Sequence, residues 1–358
     1  MTLRSLAAVF LFSALPAAAG VNRWTEGSPP HAACDVPGPN YCSEVTSIAL
    51  DPFDERVIYA AMSSGPFQAA DRHGLWRSDD GGTSWVRLPL QLDNAPVSVG
   101  VAKNGALYVL SKSSFHRSLD GGRTWTHSSL PVDYVNSTDL AVDPRNGNTL
   151  FVSQENFCWL GCTGGGVWRS DDGGNHWKAI GLGKTFVSRV AVDPTDSSTV
   201  YATTFEGQLF QTRNGGGSWK DVTPGGPISM VVVDPIVPST VYAVTGTFAQ
   251  PFTGVFKSTD RAKSWRLIQD ARLKDGGTTT VIAIDPVRPL NLLATMGYGT
   301  VVRSVDGGES WSLFDDGLAG FFRSQLVIAP SGGVFHAVLE NGFIYHYTLV
   351  PPRRRASR

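Results

Sequence analysis

Apolar positions along this chain come in short runs broken by turn residues, and the runs repeat. Ile48-Ala49-Leu50 ends at Asp51-Pro52; Val57-Ile58-Tyr59-Ala60, Leu75-Trp76-Arg77 and Val86-Arg87-Leu88 follow. Runs this short, rich in Val, Ile and aromatic residues and bounded by Gly, Pro, Asp and Ser, predict strands. The first run has counterparts at residues 139–144, 189–194, 230–235 and 281–286, each closed by Asp-Pro. Proline cannot donate to a ladder, so the pair stops the strand. The second run recurs as Val200-Tyr201-Ala202 and Val241-Tyr242-Ala243.

An octapeptide joins the third run to the fourth: Ser78-Asp79-Asp80-Gly81-Gly82-Thr83-Ser84-Trp85. It recurs ending at Trp125, Trp177 and Trp311. Worn copies end at Trp219, with Asn214 for the aspartate, and at Trp265, with both glycines lost. The aspartate accepts hydrogen bonds from its own turn. The glycine two places on takes φ > 0 without a Cβ clash. The tryptophan anchors the turn to the sheet. Asp80, Asp120, Asp172, Asn214, Asp260 and Asp306 are therefore read as turn staples, not as six reactive groups.

The tryptophans at 85, 125, 177, 219, 265 and 311 set a repeat of 40 to 52 residues. Four short strands in such a period indicate a β-propeller. There are six boxes but seven first strands, the seventh at 324–330 with 334–337 and 342–345 behind it and no box after them. The missing strand is sought at the other end, where residues 21–24 carry Trp24. The reading is an all-β, seven-bladed propeller of four-stranded antiparallel blades. Residues 21–24 are expected to pair with 342–347 and close the ring in blade seven, leaving no open edge.

The octapeptide resembles the Asp-box, or BNR repeat. Among Asp-box proteins, bacterial sialidases and two-domain xyloglucanases are hydrolases, whereas sortilin-type receptors and the photosystem II assembly propeller are binding proteins. The resemblance thus implies the fold and leaves two functions open. The Arg-Ile-Pro signature of sialidases is absent, and only Arg189 and Arg323 offer themselves for the arginine cluster those enzymes use.

The chain has 358 residues, a formal net charge of −1 and 42% hydrophobic residues. That suffices for a sizeable core and carries no signature of a nucleic-acid partner. Residues 1–20 combine Arg4, an apolar run and small residues, the pattern of an export signal too short to span a bilayer. The remainder reads as one propeller over 21–350 and a basic tail over 351–358, with no transmembrane segment: an exported monomer, periplasmic or secreted. Cys34 with Cys42, and Cys158 with Cys162, suit two local disulfides in such a protein. No metal cluster and no cofactor motif is present.

Boxes and Asp-Pro turns fall on one face. The other face carries loops of unequal length, and unequal loops on one face of a repeat often bind. In the first strands, Ser47, Asp139, Arg189, Met230, Val281 and Gln325 share one side with Ala49, Ala141, Ala191, Val232, Ala283 and Val327. The small set is expected to line a narrow central channel. Asp139, Arg189, Arg323, Gln325 and, from a long loop, Trp159 are the candidate ligand contacts, for a protein, peptide or glycan. Were the chain a glycosidase, it would need two carboxyls about 5–9.5 Å apart; Asp139, Glu155 and Glu206 are the candidates. No Ser-His-Asp or phosphate-loop motif competes.

Overall fold

A computed structural model describes residues 25–29, 44–63, 74–92, 94–130, 137–155, 165–245, 254–268, 281–296, 300–318, 322–329, 331–339 and 344–349. Their strands form seven four-stranded antiparallel sheets. Blade four shows the plan: β14 (Val187–Asp193), β15 (Asp196–Thr204), β16 (Leu209–Thr212) and β17 (Lys220–Asp221) pair in order, innermost to outermost. Blades one to three occupy residues 44–87, 96–129 and 137–181, and blades five and six 228–268 and 282–313.

Blade seven draws on both ends of the described chain. Its inner three strands are Phe322–Ile328, Val334–Leu339 and Ile344–Thr348. The outermost is Thr25–Glu26, with Thr25 opposite His346 and Glu26 opposite Tyr345. Gly27 N adds a 2.9 Å bond to Ile344 O. The pairing thus falls just beyond residues 21–24, which lie outside the described residues, as do residues 1–20 read as an export signal, all four cysteines and the basic tail.

The core is divided among the gaps between blades. Ala49 packs with Val99, Leu107 and Val109 of blade two; Ala141 with Val190, Val200 and Ala202 of blade four; Ala191 with Val231, Val241 and Ala243 of blade five. This corrects the expectation for the small set. These residues are small because neighbouring sheets converge near the axis, where the next blade presses on each inner strand. What the inner strands turn toward the axis is their free backbone edge.

Each box is built as its chemistry requires. In blade one, Ser78 Oγ donates to Asp80 Oδ1 at 2.8 Å, Ser84 N to the same oxygen at 2.8 Å and Ser84 Oγ to Oδ2 at 2.6 Å. Asp120, Asp260 and Asp306 repeat the three bonds with Thr124, Ser264 and Ser310. In blade three the third partner is His176, whose Nδ1 lies 2.6 Å from Asp172 Oδ2. Asn214 holds the frame as well, its Nδ2 donating to Ser218 Oγ at 3.1 Å. The hydrogen bond from the Thr124 hydroxyl comes first among those that depress the Asp120 pKa below the ordinary carboxylate range.

Boxes also tie blades together. The basic residue before four of the boxes reaches a carbonyl of the next blade: Arg77 to Gly121 O, Arg117 to Asp172 O, Arg169 to Ser197 O and Lys257 to Gly307 O. Arg77, Arg169 and Lys257 also lie over Tyr59, Phe151 and Tyr242 at 5.4–5.6 Å, a cation–π contact. In these four blades the apolar-plus-basic run before the box is thus a strand that ends in an inter-blade clamp.

Candidate functional site

The face opposite the boxes is built around a defect common to six inner strands. Their register with the second strand slips between residues 45 and 47, 96 and 98, 137 and 139, 187 and 189, 228 and 230, and 322 and 325. A bulge leaves one residue out of the ladder and bends the strand. In four blades that residue is a hydroxyl that satisfies the stranded backbone. Thr46 Oγ1 bonds Ala61 O and Pro96 O, Thr138 Oγ1 bonds Val187 O, Ser188 Oγ bonds Thr203 O, and Ser229 Oγ bonds Val244 O. This hydroxyl, five positions before the Asp of Asp-Pro, is a repeat signature visible in the sequence but overlooked when the motif is begun one residue later.

The next position carries the candidate polar residues, and they lie along the free edge of the following inner strand. Ser47 Oγ accepts from Val99 N at 3.2 Å, and Asp139 Oδ2 from Val190 N at 3.2 Å. Gln325 accepts from Ile48 N at 2.7 Å and donates to Ile48 O at 3.1 Å, so its amide pairs with that edge as a strand would. Asp139 keeps intermediate exposure. Burial raises its pKa, and the Arg189 guanidinium on the adjacent inner strand and the backbone N–H groups of Val190 and Leu140 pull the other way. No direct ion pair joins Asp139 to Arg189 among the described residues.

Arg323 lies in the inner strand of blade seven. Trp159 lies outside the described residues. Of the carboxyl candidates, Glu206 is exposed at a turn tip and Glu155 follows directly on the second strand of blade three, Leu150–Gln154. The sequence reading overlooked an aromatic pair beside Arg189. Phe186 and Phe205 have ring centroids 5.0 Å apart, Phe205 N donates to Phe186 O at 3.0 Å, and Phe205 is 66% exposed. The signal was a phenylalanine at the tip of a tight turn, next to Glu206. Among the described residues no group of His, Cys, Asp and Glu could hold a metal ion, and no helix is long and apolar enough to cross a membrane.

Residues 165–272 match the family model described as sortilin, neurotensin receptor 3. This span contains the boxes of blades three to five. Seven blades, six boxes and this match agree. The chain is an Asp-box β-propeller.

Other propellers resemble it at low identity. A xyloglucanase of Hypocrea jecorina is 24% identical over 225 residues, covering 50% of this chain and 26% of that protein. The GH74 xyloglucanase from Xanthomonas campestris superposes with a TM-score of 0.64 at 21% identity, over 93% of this propeller and 55% of that chain. YCF48 bound to D1 peptide superposes with a TM-score of 0.67 at 16% identity, over 93% of this propeller and 98% of that chain. The Asp-box propeller thus spans about a quarter of that curated relative. The structural likenesses establish the fold.

Proposed function

We infer that this Asp-box propeller is an exported, non-catalytic binding module whose loop face takes a protein or peptide segment. The observation that carries the reading is the Phe186–Phe205 pair. An aromatic ring 66% exposed, packed at a tilt against a second ring and near Arg189 and Glu206 in sequence, has the composition of a recognition hot spot. Asp139 ties blade three to the inner strand that carries Arg189, and a rigid rim lowers the cost of binding; Arg323 and Trp159 are proposed as further contacts. Support also comes from the YCF48 neighbour, whose structure carries a peptide. Export rests on residues 1–20.

The alternative is glycoside hydrolysis, favoured by the raised pKa of Asp139 and the xyloglucanase relatives. Against it, Asp139 is bonded to the scaffold through Val190 N.

The test has two arms. Peptides selected from a displayed library on the wild-type protein should lose at least tenfold in affinity with Phe205→Ala or Arg189→Ala. Xyloglucan and sialoside substrates should stay intact. Hydrolysis abolished by Asp139→Asn would replace the binding reading with the enzymatic one.

A further inference from the structure

The two worn boxes are neighbours, and they enclose a cleft. Arg261 and Ala262 of blade five keep the left-handed backbone of the glycines they replace, with φ of 60° and 61°. Such a conformation is disfavoured for a residue that bears a Cβ. It is held by Ala262 N donating to Ser258 Oγ at 2.9 Å and Lys263 N to Asp260 Oδ1 at 3.0 Å. Turn chemistry is better served by glycine, so strain kept here calls for another reason.

The substitutions change charge. In blades one and three the residue ahead of the box aspartate is acidic, and Asp79 and Asp171 each pair with the preceding arginine at 2.7 Å. Blade four has Gln211 and Arg213 in those places, and Asn214 removes a further negative charge. Gln211 keeps the clamp to the next blade by donating to Arg261 O at 3.2 Å, and Arg213 adds a second bond to the same carbonyl at 2.6 Å.

Between blades four and five lies a cleft of about 380 Å³, with Arg213, Ser218, Trp219, Lys220, Ala262 and Lys263 in its wall. Lys220 and Lys263 are exposed, and neither ammonium has a hydrogen bond or ion pair among the described residues. The nearby carboxylates are occupied in their own turns: Asp221 by Thr223, Asp260 by Ser258 and Ser264. Trp219 donates its indole N–H to Ile180 O at 2.7 Å, which fixes the ring as a flat apolar wall.

We propose that this cleft binds one acidic sugar residue of a glycan, its C–H face on Trp219 and its carboxylate or sulfate between Lys220 and Lys263. A volume near the lower end of small-molecule sites fits one ring-sized group; a lone acidic side chain of a peptide would leave much of it unfilled. Two unpaired lysines on facing walls of one cleft give an anion more than a single surface charge would. The cleft is on the box face, so it stands or falls separately from the loop face.

The test is calorimetric titration of the full chain with an oligogalacturonate, a sulfated chondroitin hexasaccharide, a neutral xyloglucan heptasaccharide, a glutamate decapeptide and inorganic sulfate. At least one acidic oligosaccharide should bind saturably, and its affinity should fall tenfold or more in K220E/K263E and in high salt. The neutral sugar and free sulfate should not saturate. Both lysines are exposed, so the variant should keep the wild-type melting temperature. Absence of saturable binding by either acidic glycan, unchanged affinity in the variant, or equal binding of the decapeptide would overturn the proposal.

Discussion

His336 and His346 face each other inside blade seven with their Nδ1 atoms 2.6 Å apart. Both side chains are buried, and they stand where the two ends of the described chain meet. His346 Nε2 lies 3.1 Å from Gly27 O, which can only accept, so that nitrogen carries a proton. His346 Nδ1 is then the acceptor and His336 Nδ1 the donor. This leaves His336 Nε2 bare, in accord with its lack of a partner among the described residues. The ring of His346 also fills the place a Cβ on Gly82 would need, 2.2 Å from Nε2. The seam is thus closed by a pair of neutral imidazoles.

Burial pushes both histidines below their ordinary pKa, His336 well below, and His346 adds to the shift at His336. The unfolded chain therefore binds protons that the folded one refuses. Stability should be full above the unfolded value near 6.5 and should fall as pH drops below it, by up to about 1.4 kcal/mol per pH unit for each histidine. Urea midpoints from pH 8 to 5 check this. In His336→Phe the slope should flatten; an unchanged slope would assign the acid sensitivity elsewhere.

Asp139 has the opposite sign. Burial raises its folded pKa, opposed by Arg189, so its contribution is most favourable below the unfolded value near 3.9 and is lost as pH rises through the folded value. Asp139→Asn keeps an acceptor for Val190 N without the charge. It should raise the melting temperature at pH 7 and leave it unchanged near pH 3, and scanning calorimetry at the two pH values decides.

The box of blade four serves as a natural experiment for the others. Asn214 makes the same three bonds as an aspartate. Asp306→Asn should therefore cost less stability than Asp306→Ala, which strands Ser310 N and two hydroxyls. Reversal of that order in thermal melts would mean that the charge, not the bonding frame, holds the turn.

Trp311 is 1% exposed in the core between blades five and six, and its indole donates to Gly308 O at 3.2 Å. Trp311→Ala should cost about 3–5 kcal/mol. Phe205→Ala, on the exposed loop tip, should stay within about 0.5 kcal/mol of wild type. Chemical denaturation of both variants checks the contrast, and with it the assignment of Phe205 to recognition.

The residues themselves determined whatever is written in contiguous chain: the strands closed by Asp-Pro, the six boxes with their bonding, and the count of seven first strands. Turn chemistry acts over a few residues, so local sequence suffices to read it. The tertiary structure decided what depends on partners in other strands and other blades, since strands pair within a blade and each blade packs on the next. It showed that Ser47, Asp139 and Gln325 reach along the edge of the following blade. It placed Phe205 against Phe186, brought two worn boxes into one cationic cleft, and set two histidines in contact at the seam. Contacts between blades are fixed by how adjoining sheets stack around an axis, and those within a blade by which side chains strand pairing and turns bring together; neither is written in one contiguous stretch.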